Sequence, residues 1–155
     1  MIQIARENPT LDDVLVLLDE HLADMFATSP ADSVHALDHS ALSAPEIYFW
    51  TAREDGVLLG CGALKQLTPT EGEIKSMRTT AAVRGRGVAA LLLTRIMDDA
   101  RQLNIERLYL ETGSQDFFAP ARRLYDRHGF TDCPPFADYT LDPHSVFMQR
   151  TLPRA

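Results

Sequence analysis

The chain has 155 residues, of which 45% are hydrophobic and 24% charged, and a formal net charge of −7. That is enough apolar material for a single domain spanning residues 1–155, and with neither a long apolar run nor a signal-like start the expected location is the cytoplasm, away from any membrane. The acidic balance argues against nucleic acid as a partner, and the two isolated cysteines, Cys61 and Cys133, suggest neither a disulfide framework nor a metal site.

Residues 2–5 predict a first strand. Thr10 reads as the start of a helix, with Asp13 completing something like a capping box. Leu11, Val14, Leu15, Leu18, Leu22 and Phe26 keep the helical period until Thr28-Ser29-Pro30 breaks it. Residues 31–45 are polar and histidine-bearing, a short helix with loops. His35 and His39 stand four apart but lack a third ligand, so no metal is expected. Residues 47–52 are rich in strand formers, Glu54-Asp55-Gly56 signals a hairpin, and residues 57–64 form the return strand. Its small residues, Gly60, Cys61 and Gly62, imply close backbone packing. Strict alternation through the strand at 73–79 would put Glu73, Lys75, Met77 and Thr79 on one side.

That strand runs into Arg84-Gly85-Arg86-Gly87-Val88-Ala89, which opens the clearest helix of the chain. Ala89, Leu92, Leu93, Ile96, Ala100 and Leu103 form its apolar face. Bare amides at the positive end of a helix dipole make a phosphate site, and glycine at 85 and 87 lets an anion approach the backbone. The loop lacks the Gly-Lys-Ser/Thr ending of a Walker motif and the full Gly-x-Gly-x-x-Gly pattern. Leu108 and Leu110 mark a fifth strand. A helix follows from about Pro120 through Ala121, Leu124, Tyr125 and His128, stopped by Gly129. Residues 137–141 and 145–152 read as two last strands.

The spacing Arg84-x-x-Gly87-x-Ala89 resembles the acetyl-coenzyme A signature of the GCN5-related N-acetyltransferases (GNAT). The segment Ala121-Arg122-Arg123-Leu124-Tyr125-Asp126-Arg127-His128-Gly129-Phe130 resembles that family's second hallmark. Residues 35–38, 73–79, 110–114 and 135–139 resemble a bacterial subgroup of candidate acetyltransferases. The resemblance implies an α/β GNAT fold: a mixed, mostly antiparallel central sheet of six to seven strands, splayed at strands 4 and 5, with about four flanking helices. It implies acetyl-coenzyme A as co-substrate, with Met77, Arg78 and Thr79 along the pantetheine arm and Arg84, Gly85, Arg86, Gly87, Val88 and Ala89 around the pyrophosphate. One departure stands out. Relatives often carry a pantetheine-binding asparagine where this chain has Phe118, which leaves Ser114 as a candidate replacement.

The implied chemistry is transfer to a primary amine, more readily of a small molecule than of a protein, by direct attack in a ternary complex. Such an amine is mostly protonated, and reaching its neutral form at pH 7 costs about 4–5 kcal/mol. Glu73 lies where histone-type relatives keep a glutamate base, although it reads equally as an ion-pair partner of Lys75. Tyr125 matches the tyrosine that returns a proton to the leaving thiolate. His35, Asp138 and Tyr139 are candidates for the acceptor pocket. A homodimer is common in the fold. A longer acyl donor and a non-enzymatic coenzyme A sensor are the alternatives.

Overall fold

The computed structural model describes residues 1–34 and 39–154. In chain order the elements are β1 (Ile2–Arg6), α1 (Asp12–Thr28), a 3-10 turn (Ala31–Ser33), α2 (His39–Leu42), β2 (Ile47–Glu54), β3 (Val57–Thr68), β4 (Glu71–Thr79), a 3-10 turn (Ala81–Val83), α3 (Val88–Gln102), β5 (Arg107–Gly113), a 3-10 turn (Asp116–Phe118), α4 (Ala119–Arg127), β6 (Thr131–Asp132) and β7 (Ser145–Thr151). The seven strands form one sheet in the order β1-β2-β3-β4-β5-β7-β6. Every neighbouring pair is antiparallel except β4 and β5. This is the mixed, largely antiparallel architecture that the resemblance implied.

The parallel pair matters most. Its register runs from Glu71 opposite Arg107 to Ile74 opposite Leu110, and there it stops. Beyond that point β4 continues along β3 to Thr79 opposite Gly60, and β5 continues along β7 to Gly113 opposite Ser145. The two central strands therefore part, leaving one edge of each without a strand neighbour among the described residues.

Two apolar layers cover the sheet. On one face Leu92, Leu93, Ile96 and Ala100 of α3, with Leu124 and Tyr125 of α4, pack on Trp50, Leu64, Ile74, Leu108 and Leu110. On the other, Val14, Leu17 and Leu18 of α1 and Leu42 of α2 cover Phe49, Cys61 and Ala63. The buried stripe of α1 thus runs through Val14, Leu17 and Leu18, while Leu11 and Phe26, expected to face inward, are exposed. The expected cap at Thr10 also differs. Its amide and hydroxyl donate to Asn8 Oδ1 at 2.9 and 2.7 Å, and the helix begins at Asp12 after an uncapped Leu11.

Alternation along β4 breaks at Ser76, whose φ of 56° inserts an extra residue. Lys75 opposes Ala63 and Arg78 opposes Cys61, both on the α1 face. Met77 instead crowds Gly62 from the α3 face, where a Cβ at residue 62 would lie 2.5 Å from its sulfur and 2.8 Å from Ile96. Glu73, Lys75 and Arg78 therefore share the α1 face, and Met77 and Thr79 the other. This corrects the single-sided row expected from strict alternation. Residues 137–141 form no strand either. Ala137 takes φ 49°, and Phe136 and Tyr139 pack their rings 5.0 Å apart and each against Phe147.

Candidate active site at the split between the central strands

Where β4 leaves β5, the chain makes the turn Ala81–Val83 and enters α3 through Gly85 and Gly87, at φ 83° and 79°. Only glycine takes such angles without strain. The amides of Arg84 and Arg86 are turned inward to Ala81 O and Val83 O, at 3.4 and 3.1 Å. Among the described residues, the amides of Gly85, Gly87, Val88, Ala89 and Ala90 find no protein acceptor; the first such bond is Leu91 to Gly87 O at 3.1 Å. Gly87 supplies no side-chain cap, and no acidic residue lies in the first turn. A helix start with several bare N–H groups and no internal anion is an anion site by construction. A Cβ built on either glycine meets nothing within 4 Å, so the space above the amides is open.

Those amides border a chamber of about 710 Å³. Its floor is Met77, Arg78 and Thr79 on the free edge of β4, its far wall Phe118 and Tyr125, and its mouth carries Arg84, Arg123 and Arg127. A smaller chamber of about 90 Å³ adjoins it between the parted strands, walled by Glu73, Lys75, Glu111 and His21. Met25, Met77 and Tyr125 border both. Tyr125 is 6% exposed, packs edge-on to Phe130 at 5.7 Å, and its hydroxyl meets no hydrogen-bonding group among the described residues. Burial first, and then the Glu111 carboxylate, push that phenol above its ordinary range.

The smaller chamber is rich in charge. Lys75 Nζ lies 3.1 Å from Glu73 Oε2 and donates to the Tyr139 hydroxyl at 2.9 Å, and that hydroxyl donates to Glu73 Oε2 at 2.5 Å. Burial and the adjacent Glu73 carboxylate raise the Tyr139 phenol. Burial likewise pushes Glu111 up to about 7, outweighing the Ser145 hydroxyl and the Lys75 ammonium, which favour its charged form. His21 is pushed down to about 4 by desolvation, with Arg78 acting in the same direction. Arg78 is itself bound to Asp24 at 2.6 Å, which ties α1 to β4.

The expected site residues divide accordingly. Met77, Arg78, Thr79, Arg84, Gly85, Gly87, Val88, Ala89 and Tyr125 line the larger chamber, and Glu73 lines the smaller one. Arg86 does not line it, because its guanidinium turns to Glu54 at 3.1 Å. Ser114, expected to replace the pantetheine asparagine, is committed elsewhere: its hydroxyl donates to Pro143 O at 2.7 Å and its amide to His144 O at 3.0 Å. Phe118 fills that corner instead, its ring against Gly113. Tyr139 lines neither chamber and reaches the smaller one only through its hydrogen bond to Glu73, and Asp138 is exposed and lines neither. His35 lies outside the described residues. Two wall residues went unread in the sequence, Glu111 and His21. The signal for Glu111 was present: a carboxylate next to buried Leu110 on the strand beside β4 faces away from the α3 layer, toward Glu73.

A sheet parted beside a bare helix start, with a tyrosine between two chambers, suits an acyl-coenzyme A-dependent transferase. Residues 14–130 match the model of the Acetyltransferase (GNAT) family, and the chain belongs to that family. It is 52% identical over 139 residues to the uncharacterized N-acetyltransferase YsnE of Bacillus subtilis, across 90% of this chain and 92% of that one. A candidate acyl-CoA N-acyltransferase of Klebsiella pneumoniae superposes with a TM-score of 0.85 at 30% identity, over 98% of each chain. A GNAT acetyltransferase of Elizabethkingia anophelis solved with acetyl-CoA shares the fold, with a TM-score of 0.67 at 16% identity over 97% of this chain and 98% of that one. The protein is an acetyl-transferring enzyme.

Proposed function

We propose that this enzyme moves acetyl from acetyl-coenzyme A to a primary amine of a small molecule, by direct attack with both substrates bound. The observation that carries the reading is the uncapped start of α3, open to a chamber that adjoins a second, smaller one across Tyr125. The site fits the donor. The free amides of Gly85, Gly87, Val88 and Ala89 suit a diphosphate, Arg84 adds charge at the mouth, and the unpaired edge of β4 at Met77–Thr79 suits the amides of a pantetheine arm. Bound there, acetyl-coenzyme A supplies an activated thioester.

Tyr125 then has one role in keeping with its surroundings. A buried phenol with no hydrogen-bond partner among the described residues is neutral at working pH and holds a proton ready for a departing thiolate. The acceptor side favours a small cation. Among the described residues lining the smaller chamber, the Lys75 charge is matched by Glu73 at salt-bridge distance, and Glu111 is the carboxylate with no basic side chain at that distance. About 90 Å³ admits an amine with a short substituent rather than a folded chain segment.

A thiol-release assay with acetyl-coenzyme A and a library of small amines tests the reading. Turnover with a subset of primary amines supports it. Tight binding of coenzyme A with no thiol released for any amine identifies a sensor instead and refutes it. Thermal-shift comparison of acetyl, propionyl and longer acyl donors checks the acyl length, with acetyl expected to stabilise most.

A further inference from the structure

The two carboxylates of the smaller chamber are in different states. Glu73 Oε2 already accepts from Lys75 and from Tyr139, and the carboxylate is 3% exposed. A base so engaged must break a buried ion pair before it can take a proton, and removing one partner of such a pair costs about 3–5 kcal/mol. Glu111 sits one residue past the last parallel pair, Ile74 with Leu110, where β5 has lost its neighbour and its edge opens into the chamber. No basic side chain among the described residues is within salt-bridge distance of it.

We propose that Glu111 accepts the proton of the incoming ammonium, and that Glu73 holds Lys75 and the Tyr139 loop in place. This rests on the amine-acetylation reading above and adds a residue to it. The groups facing Glu111 are Lys75 and Glu73 from β4, Tyr125 from α4, Tyr139 and Asp142 from the last loop, Ser145 from the last strand, and His21 from α1 across the same chamber. Burial holds the Glu111 carboxyl at about 7, near where a general base works best at neutral pH. The protons balance. One leaves the ammonium for Glu111 and then for solvent. As the C–N bond forms and the C–S bond breaks, Tyr125 gives its proton to the sulfur and recovers the second proton of the nitrogen.

The test compares wild type, Glu111→Gln and Glu73→Gln with two small probes, methylamine, which is protonated at pH 7, and methoxyamine, which is not. Glu111→Gln is expected to lose about 100-fold or more with methylamine and no more than a few-fold with methoxyamine. Glu73→Gln should instead slow both probes alike. Equal losses with both probes in Glu111→Gln overturn the assignment, as does a methylamine-specific loss in Glu73→Gln. A second readout needs no turnover: carbon-13 NMR of glutamate-labelled protein should show a carboxyl titrating near neutrality that vanishes in Glu111→Gln. A Glu111 signal in the ordinary carboxylate range overturns the proposal. A wild type that titrates as expected yet acetylates no amine overturns the amine reading, on which the base role depends.

Discussion

Gly87 offers a clean perturbation, because its backbone angle and its place above the amides can be separated. An alanine there must hold φ 79°, a left-handed angle that costs a side-chain-bearing residue about 1–2 kcal/mol. Its methyl meets no protein atom within 4 Å, so no packing cost is added. For a chain of this size the melting temperature should fall by a few degrees, at roughly 2–4 °C per kcal/mol. The methyl does enter the open space through which an anion reaches the amides of Val88 and Ala89. A hydrogen bond to a charged group is worth about 1.5–3 kcal/mol, so losing one should weaken coenzyme A binding by about tenfold to a hundredfold. Gly56 is the internal control: it has the same φ of 79° and the same empty surroundings, but it lies in the β2–β3 hairpin. Melting curves and isothermal titration with coenzyme A on Gly87→Ala and Gly56→Ala should give similar losses of stability and very different losses of affinity. Equal affinity in the two variants would show that the start of α3 does not grip the diphosphate.

Arg84→Ala should weaken coenzyme A binding several-fold by titration, whereas Arg86→Ala should leave it nearly unchanged, since Arg86 is turned to Glu54. Tyr125→Phe should lower kcat by about 100-fold or more with little change in coenzyme A affinity or melting temperature, because the hydroxyl has no hydrogen-bond partner among the described residues to lose; stopped thiol-release assays and melting curves read both. Gly62→Ala should cost about 1–3 kcal/mol in urea unfolding, as its methyl would collide with Met77 and Ile96, and it should disturb both chambers through Met77. Glu111 has a folded pKa near 7 against 4.5 unfolded, so its contribution is fully present below pH 4.5 and is lost as pH rises through 7. Glu111→Gln should therefore be more stable than wild type at pH 8, with the difference gone at pH 4.5; a difference that does not change with pH refutes that burial. His21 titrates in the opposite sense between 6.5 and about 4, and is common to both proteins.

What could be read from sequence was what is local. The α3 stripe of Leu92, Leu93, Ile96 and Ala100 needs only a 3.6-residue period, and the turns at Gly85, Gly87 and Gly129 need only a residue without a Cβ. The displaced readings each depend on something distant. Ser76 takes a positive φ although nothing in its type demands it, because without the extra residue Met77 rather than Arg78 would oppose Cys61 and could not pack against Gly62 on the other face. Residues 137–141 alternate like a strand but have no edge to join, and the Phe136 and Tyr139 rings settle on Phe147. Ser114 looked available until Pro143 and His144, some 30 residues on, claimed it. The alternation around Leu110 sets the face of Glu111, but that Glu111 and His21 border one chamber depends on β4 and β5 parting, which no stretch of either strand announces.

The extra residue at Ser76 divides one strand between two tasks. Upstream of it, Glu73 and Lys75 border only the smaller chamber; downstream, Arg78 and Thr79 border only the larger one, the berth proposed for the thioester carrier. Under the proposed reading, a substitution at Glu73 or Lys75 retunes which nucleophile is admitted while Arg78 and Thr79, on the carrier's side, stay as they were.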